Sequence, residues 1–172
     1  MDRIVFTVTG MKFGLVSASY IIEDDIPKVV LFCRDENSKK VVFKIPYFPY
    51  FYIKKEDENR IKEILSREKV KDEPLINRVI SFSKKIYKAD LGNLVKKVTV
   101  KYPKDVRIIR NTIEKYGKAT FEADIPFALR FLIDTGIRSG FEYNREYDTV
   151  NEVSYTEPVS YTHLTLPTTE RV

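Results

Sequence analysis

The acidic side chains are the first place to look for chemistry in this sequence, since metal-dependent phosphoryl transfer needs carboxylates that converge on a divalent cation. We considered three acidic groups as candidates: Glu23–Asp25, Asp35–Glu36, and the pair Glu122 and Asp124. Adjacent acids in a turn point in divergent directions, and no second cluster at helical or strand spacing completes any of the three groups. We therefore interpret them as solvated turns and a helix cap, and we expect no metal and no catalytic residue in this chain.

The single histidine and the single cysteine narrow the function classes further. With only His163 and Cys33, the sequence has no Cys/His zinc site and no disulfide framework, and a hydrolase triad would have to use that one histidine. The chain has only six glycines and neither a G-x-x-x-x-G-K-[ST] nor a G-x-G-x-x-G motif. A phosphate-cradling loop is therefore not expected.

An aromatic run, Tyr47–Tyr52, is the clearest group that could contact a ligand. On a strand, alternate residues of this run lie on opposite faces. Exposed aromatic rings beside basic residues form the usual platform for stacking unpaired bases, and three lysines flank the run: Lys44, Lys54 and Lys55. The alternative is a strand buried on both faces, which the run taken alone slightly favours.

The basic charge is concentrated in one part of the chain. The 172 residues have a net charge of +5, and six acids against three arginines follow residue 137, so residues 1–137 carry +8. A basic body raises the chance of a nucleic-acid partner, because Lys and Arg displace counterions condensed on phosphates. A lysine-rich solvated surface explains the same charge equally well.

The sequence also lacks the features of a membrane or secreted protein. No apolar run reaches the about 20 residues that a bilayer span needs, and the N-terminus lacks the apolar stretch of a signal peptide. We therefore expect a soluble, cytoplasmic protein with no membrane partner.

The hydrophobic pattern predicts the elements that must position these residues. Runs of β-branched and aromatic residues separated by turn formers predict an antiparallel meander of five strands: Ile4–Val8, Leu15–Ile22, Lys28–Cys33, Lys40–Ile45 and Phe48–Ile53. The period then changes to that of an amphipathic helix over Glu56–Lys69. Two further strands are predicted at Ile76–Tyr87 and Val95–Tyr102, around a turn at Asp90–Asn93.

A helix with clear end signals follows. Pro103 and Asp105 suit a first helical turn, apolar residues recur at helical spacing after them, and Gly117 can end the helix. This is the best-marked element of the sequence.

A short strand at Ala119–Ala123 and a second helix complete the pattern. The second helix is predicted with Asp124 as its cap, Pro126 in its first turn and Gly136 after its end. The sequence as a whole predicts the α+β class, with an antiparallel sheet and packed helices.

The C-terminal segment breaks with this pattern. Residues 159–168, VSYTHLTLPT, contain the single histidine and match the in-frame translation of the end of a transposon-based sequencing adapter. We interpret residues 159–172 as an adapter-derived tail that packs on nothing, in preference to a genuine Thr-rich tail. This interpretation implies a gene cut at a read end and gives His163 no chemical role.

Four motifs, in this order and spacing, resemble the N-terminus of archaeal family B DNA polymerases. They are S-A-S-Y-I-I, F-P-Y-F-Y-I, Y-P-K-D-V-R-I-I-R and A-D-I-P-F-A-L-R-F-L-I-D-T-G-I, of which the last is the most specific. The resemblance covers about residues 15–137. It implies that residues 1–137 form a template- and uracil-recognition domain with an RNA-binding-motif or OB-like fold, although residues 1–12 are an unmatched extension. Residues 138–158 would begin a linker to a missing exonuclease domain.

The same resemblance implies a pocket for template uracil. Its positions fall, residue by residue, on Tyr20, Pro49, Tyr50, Pro103, Asp105, Val106, Arg110, Pro126, Phe127 and Arg130. The family usually has an arginine before the Pro-Tyr pair, where this chain has Phe48, so contacts made through that arginine are in doubt. The alternative is that these are core residues of a domain that has lost uracil sensing.

The residue types suit the discrimination that such a pocket makes. Rigid walls of proline, valine and tyrosine would reject the methyl group of thymine, while the ring of Phe127 packs on uracil. Backbone groups of the two proline-containing turns could read the edge that separates uracil from cytosine. A base in a single strand enters such a pocket without breaking a base pair.

The resemblance thus implies an N-terminal fragment of a DNA-directed DNA polymerase, which binds single-stranded template DNA and senses uracil ahead of the active site. It implies no catalysis and no cofactor in this fragment. Mg²⁺-dependent nucleotidyl transfer and 3′–5′ exonuclease activity would belong to the remaining polymerase domains, its expected partners. Two alternatives stay open: a free-standing binding module for single-stranded RNA or DNA, and an interaction domain with no nucleic-acid role.

Overall fold

The structure, a computed structural model, describes residues 11–137, 140–144 and 149–152. Within these residues the chain forms three helices, α1 (Glu58–Arg67), α2 (Pro103–Lys115) and α3 (Phe127–Thr135). The strands of the same residues are β1 (Met11–Glu23), β2 (Ile26–Arg34), β3 (Lys40–Pro46), β4 (Tyr50–Lys54), β5 (Lys69–Val70), β6 (Glu73–Pro74), β7 (Val79–Lys88), β8 (Leu94–Val100), β9 (Thr120–Phe121), β10 (Gly140–Asn144) and β11 (Thr149–Glu152).

Several predictions concern residues that the structure does not describe. The strand predicted at 4–8 and the adapter-derived tail predicted at 159–172 lie outside the described residues. Of the predicted linker, 138–158, only the strands β10 and β11 are described.

The chain divides into two compact units. Unit 1 consists of the described parts of Met1–Ile21, Lys28–Pro46 and Pro126–Val172, and unit 2 consists of Ile22–Pro27 and Tyr47–Ile125.

Unit 1 is built on a five-stranded sheet with the strand order β11-β10-β1-β2-β3. Strands β2 and β3 are antiparallel, from the pair Lys28–Pro46 to the pair Arg34–Lys40. Their connection is an Asx turn, in which the Oδ1 atom of Asp35 accepts the backbone N–H groups of Asn37 (2.8 Å) and Lys39 (2.9 Å). The interpretation of Asp35–Glu36 as part of a turn is therefore confirmed.

The core of unit 1 consists of the inward-facing residues of its strands. Its fully buried members are Phe13, Val29, Leu31, Cys33 and Val41. The ring of Phe13 meets that of Phe43 edge-on, with 4.8 Å between centroids, a preferred geometry for aromatic pairs. Burial raises the pKa of the Cys33 thiol, so this cysteine is a packing residue rather than a nucleophile.

Unit 2 is a βαββαβ fold formed by β4, α1, β7, β8, α2 and β9. Its four strands are antiparallel and lie in the order β7-β8-β4-β9. This is the ferredoxin-like arrangement, which RNA-recognition motifs also use. Both α1 and α2 pack on one face of the sheet, where they form a core with β4 and β8: Phe51, Ile53, Ile61, Leu65, Leu75, Val98, Val100, Ile109 and Ile113.

The α+β class with antiparallel sheets and packed helices is confirmed, but the strand pairing differs from the prediction. The predicted five-strand meander is wrong, because β4 pairs with β8 and β9 in unit 2 and not with β3. Pro46 and Pro49 flank the break, and proline cannot donate a hydrogen bond to a sheet. Local pattern identifies a strand but not its distant partner.

Two predicted strand boundaries and one predicted helix cap also need correction. Leu75–Arg78 is a 3₁₀ turn rather than the start of a strand, and the strand predicted at Ala119–Ala123 shrinks to β9. Asp124 does not cap α3, which begins after Pro126 and receives no side-chain cap. Asp124 lies two residues before the cap position, which Pro126 occupies, and its carboxylate accepts a hydrogen bond from Arg110.

Candidate nucleic-acid interface

Tyr20 and Phe127 are the two predicted site residues of unit 1 whose rings meet. Tyr20 lies near the end of β1 and Phe127 is the first residue of α3, yet their ring centroids are 5.4 Å apart at an interplanar angle of 83°. Tyr20 is 45% exposed and Phe127 only 7%. Of this pair, Tyr20 therefore supplies the aromatic surface that a ligand could reach, with the buried ring of Phe127 holding it in place.

Pro126 and Arg130 fix the first turn of the same helix. The carbonyl of Pro126 accepts the backbone N–H of Arg130 at 2.9 Å. The guanidinium of Arg130 is buried and lies 3.7 Å from the carboxylate of Asp134, one turn further along α3. A buried charge is tolerated only when it is paired, and Asp134 supplies a partner for Arg130 within α3.

Pro49 and Tyr50 lie at the start of β4 in unit 2. Pro49 is buried, and its carbonyl accepts the backbone N–H of Val100 at 3.0 Å. Tyr50 is half-buried, with the Nζ atom of Lys97 4.2 Å from its ring centroid. Phe48, which stands where the family usually has arginine, is 39% exposed.

The other four site residues of unit 2 lie on α2. Pro103 opens the helix, where its missing N–H costs no hydrogen bond. Val106 is partly buried and packs against the core of the unit. Arg110 donates from Nη1 to Asp124 and from Nε and Nη2 to the Oδ1 atom of Asn111, at 3.3 and 3.1 Å. This arginine braces the segment that precedes α3.

Asp105 is the one buried acid of this helix, at 1% exposure. Its Oδ1 atom accepts a hydrogen bond from Nη1 of Arg78 at 3.0 Å, while Nε of Arg78 donates to Glu73 at 3.1 Å. The Oδ2 atom has no hydrogen-bond partner among the described residues. Burial raises the pKa of Asp105, and the attraction of Arg78 opposes that rise without cancelling it.

The ten predicted positions thus fall into two groups. Unit 1 holds Tyr20, Pro126, Phe127 and Arg130, and unit 2 holds Pro49, Tyr50, Pro103, Asp105, Val106 and Arg110. The structure brings Tyr20 against Phe127 in the first group and places four of the second group on one helix.

A second set of aromatic residues lies on the sheet of unit 2, on the face opposite the helices. We call Tyr50, Tyr52, Tyr87 and Lys97 the aromatic face. The ring centroids of Tyr50 and Tyr52 are 5.6 Å apart, and those of Tyr52 and Tyr87 are 5.5 Å apart. Lys97 stands opposite Tyr52 in the strand register, with its Nζ atom 5.7 Å from the Tyr87 centroid.

Sequence reasoning identified only the β4 part of the aromatic face. It proposed Lys44, Lys54 and Lys55 as the basic neighbours, whereas Lys97 is the lysine over the Tyr50 ring and Lys44 belongs to β3 in unit 1. Tyr87 and Lys97 were missed because their closeness to β4 depends on the pairing of β4, β8 and β7. A register for those strands would have revealed them.

The described residues also bear on metal binding and membrane insertion. No group of three or more potential metal ligands occurs among the described residues. Within the same residues, none of the helices is long and apolar enough to cross a membrane.

Comparison with known proteins supplies the family. No family model matches the chain. The chain is 31% identical over 127 residues to DNA polymerase 1 of Pyrococcus abyssi, and 31% identical over 129 residues to the DNA polymerase of Thermococcus kodakarensis. Each match covers 72% of this chain, but 16% of the first relative and 8% of the second.

A solved structure agrees with these relatives. The family B DNA polymerase from the hyperthermophilic archaeon Pyrobaculum calidifontis is similar with a TM-score of 0.58 and 29% identity, over 74% of this chain and 16% of that chain. The chain therefore spans less than one fifth of the length of these relatives.

These matches identify first a class, the DNA polymerases, and then a family within it. Over the matched region the chain belongs with the archaeal family B DNA polymerases, as a homologue of their N-terminal region. The family that the four motifs indicated is therefore confirmed.

Proposed function

We propose that this chain is the template-contacting N-terminal region of a longer family B DNA polymerase, and that it recognises uracil in single-stranded template DNA. Homology to archaeal polymerases supports the first part. The observation that carries the second part is the contact between Tyr20 and Phe127. Two residues from distant segments, both implied as uracil-pocket positions, form one supported aromatic unit.

Each group, taken by itself, contains residues of a type that suits uracil recognition. Uracil differs from thymine by one methyl group, so a pocket that binds uracil and excludes thymine needs rigid walls. The edge-on contact with buried Phe127 restricts the ring of Tyr20, and Pro103, at the start of α2, is rigid by its own covalent ring. A polar group of the site left unpaired over a wrong base costs roughly 1 to 3 kcal/mol.

Polymerisation itself is proposed for the remaining part of the longer protein. Two-metal nucleotidyl transfer needs carboxylates that hold Mg²⁺, and the described residues offer no group that fits this ion. In this proposal, the role of the present region is to contact the template strand before it reaches the catalytic domains.

A competition titration tests uracil recognition directly. The chain is titrated with a labelled single-stranded oligonucleotide containing one uracil, against the same strand with thymine. We expect tighter binding of the uracil strand, and we expect Val106→Gln to remove that preference by filling the space that the base needs.

A control separates this effect from damage to the helix. Ile108→Gln places the same polar side chain on α2 at another position that packs against the core, outside the ten implied positions. It should keep the uracil preference. Equal affinity of the native chain for both strands would contradict the uracil proposal. Template contact would then be tested by the affinity of the chain for either strand.

The βαββαβ arrangement of unit 2 also favours a second candidate, a free-standing binding module for single-stranded RNA or DNA. The native gene beyond the codon for Pro158 decides between the two. A polymerase gene continues into an exonuclease motif rich in acids, whereas a free-standing module ends.

A further inference from the structure

We propose that the aromatic face is a stacking surface for unpaired bases of single-stranded DNA, and that Lys97 and Lys85 contact the phosphates of that strand. The inference rests on the proposed template contact and adds to it a surface on the sheet of unit 2. Of the ten positions implied for uracil recognition, only Tyr50 belongs to it.

The position of the aromatic face follows from strand alternation. Phe51 and Ile53 are fully buried in the core beneath α1 and α2. Tyr50 and Tyr52 alternate with them on β4 and therefore lie on the other face of the sheet. Lys97 stands opposite Tyr52, and Tyr87 stands opposite Val95, two residues from Lys97 on β8. Three strands thus bring three tyrosines and one lysine together.

The rings are arranged as separate surfaces rather than as one stack. The planes of Tyr50 and Tyr52 meet at 82°, and those of Tyr52 and Tyr87 at 67°. The three tyrosines are half-buried, so each of them is partly exposed at the surface. Every base has a flat π-face, so a surface of this kind accepts bases with little preference for sequence.

The lysines of the sheet differ in whether they form an ion pair with a carboxylate of the same unit. Lys96 pairs with Glu58 at 2.6 Å. Within the described part of the chain, Lys97 and Lys85 have no carboxylate within ion-pair distance, and each lies over a tyrosine ring instead. The Nζ atom of Lys97 is 4.2 Å from the Tyr50 centroid, and that of Lys85 is 5.0 Å from the Tyr87 centroid. Cations in these places can meet the phosphates of a strand whose bases lie on the rings.

The combination of rings and cations selects the occupant. A single strand uses flat aromatic rings to stack its bases and lysines to contact its phosphates, whereas a protein partner requires neither. The relatives of the chain are DNA polymerases, so we assign the strand as DNA and treat RNA as an outcome of the test.

The test compares strands with and without bases. The 172-residue chain is titrated by fluorescence anisotropy with a labelled thymidine 20-mer and with an abasic strand of the same length. We expect Tyr52→Ala and Tyr87→Ala each to weaken binding of the thymidine strand at least about fivefold, which corresponds to the loss of one stacked base. Binding of the abasic strand should change by less than about twofold.

Two further variants control for a nonspecific effect of losing a tyrosine and for misfolding. Tyr116→Ala removes an exposed tyrosine at the end of α2 and should leave both affinities unchanged. Tyr52→Leu keeps apolar bulk if Tyr52→Ala fails to fold, and it should lose affinity in the same way. Circular dichroism confirms that each variant is folded.

Several outcomes would overturn the proposal. These are retained affinity in folded Tyr52 and Tyr87 variants, an equal loss for both strands, or tighter binding of a uridine RNA 20-mer than of the DNA. In the first two cases the native chain still binds DNA, so the proposed template contact survives. The ratio of uracil to thymine affinities should be unaffected by Tyr52→Ala, which separates this inference from the uracil proposal.

Discussion

The two faces of the four-stranded sheet in unit 2 are built by the same strands but carry opposite kinds of side chain. On the helix side, Phe51 and Ile53 are fully buried. On the other side, Tyr50 and Tyr52 contact each other edge-on, and Lys97 lies over one of their rings. Because the side-chain period of a strand is two, a slip of one residue would exchange the faces. Strand register therefore separates the residues that form the core from those that we propose contact single-stranded DNA.

Truncation of two adjacent residues of β4 should affect stability very differently, because their side chains lie on opposite faces of the sheet. Phe51→Ala should lower the free energy of unfolding by about 3 to 5 kcal/mol, since it opens a cavity in a closed core. Tyr52→Ala should lower it by about 1 kcal/mol, because its ring is only half-buried. Urea denaturation followed by circular dichroism measures both. Similar losses for the two variants would show that the second face is also core.

Elements with strong local signals could be predicted from the sequence. The helical spacing of Ile61, Ile64 and Leu65 predicted α1, and all three are buried. Pro103 and Gly117 marked the ends of α2 within two residues. Local propensity, proline and glycine act within a few residues, so one sequence contains the information needed.

Non-local pairing could not be predicted in the same way. Nothing near Tyr50 in the sequence reveals that β4 lies between β8 and β9, because strand partners are chosen by the packing of the whole unit. The same limit applied to the site. The resemblance supplied Tyr20 and Phe127, whose contact the structure shows, but Tyr87 and Lys97 became visible only with the strand register.

The neighbours Lys96 and Lys97 on β8 differ in charge pairing in the same way. Lys96→Gln removes the ion pair with Glu58 and should cost about 0.5 to 1 kcal/mol of unfolding free energy at neutral pH. Lys97→Gln should leave stability unchanged within about 0.5 kcal/mol. It should instead lower the slope of log affinity for single-stranded DNA against log salt by about one.

The stability effect of Lys96→Gln has a defined pH dependence. Hydrogen bonds from Lys62 and then Lys96 lower the pKa of Glu58 below its ordinary value. The folded state therefore gains stability from the ionised carboxylate above that ordinary value, and loses it as pH falls through the lowered pKa. The cost of Lys96→Gln should shrink in this acid range. A constant cost from neutral to acid pH would contradict the ion-pair explanation.

The smallest expected effect comes from Asp105, the acid that α2 buries. Burial raises its pKa, against the attraction of Arg78, so the folded state holds a proton that the unfolded state has already released. Stability from this group is complete below the ordinary pKa of aspartate, about 3.9. It falls as pH rises through the raised pKa of the folded state.

Asp105→Asn removes this titration while keeping an oxygen that can accept the hydrogen bond from Arg78. The difference in unfolding free energy, native minus variant, should therefore decrease as pH rises from below about 3.9 through the raised pKa. Arg78→Gln removes the opposing attraction, so in that background the decrease should extend to higher pH. Urea denaturation at a series of pH values gives both curves. A difference that grows with pH would mean that the attraction of Arg78 outweighs the effect of burial on the Asp105 carboxyl.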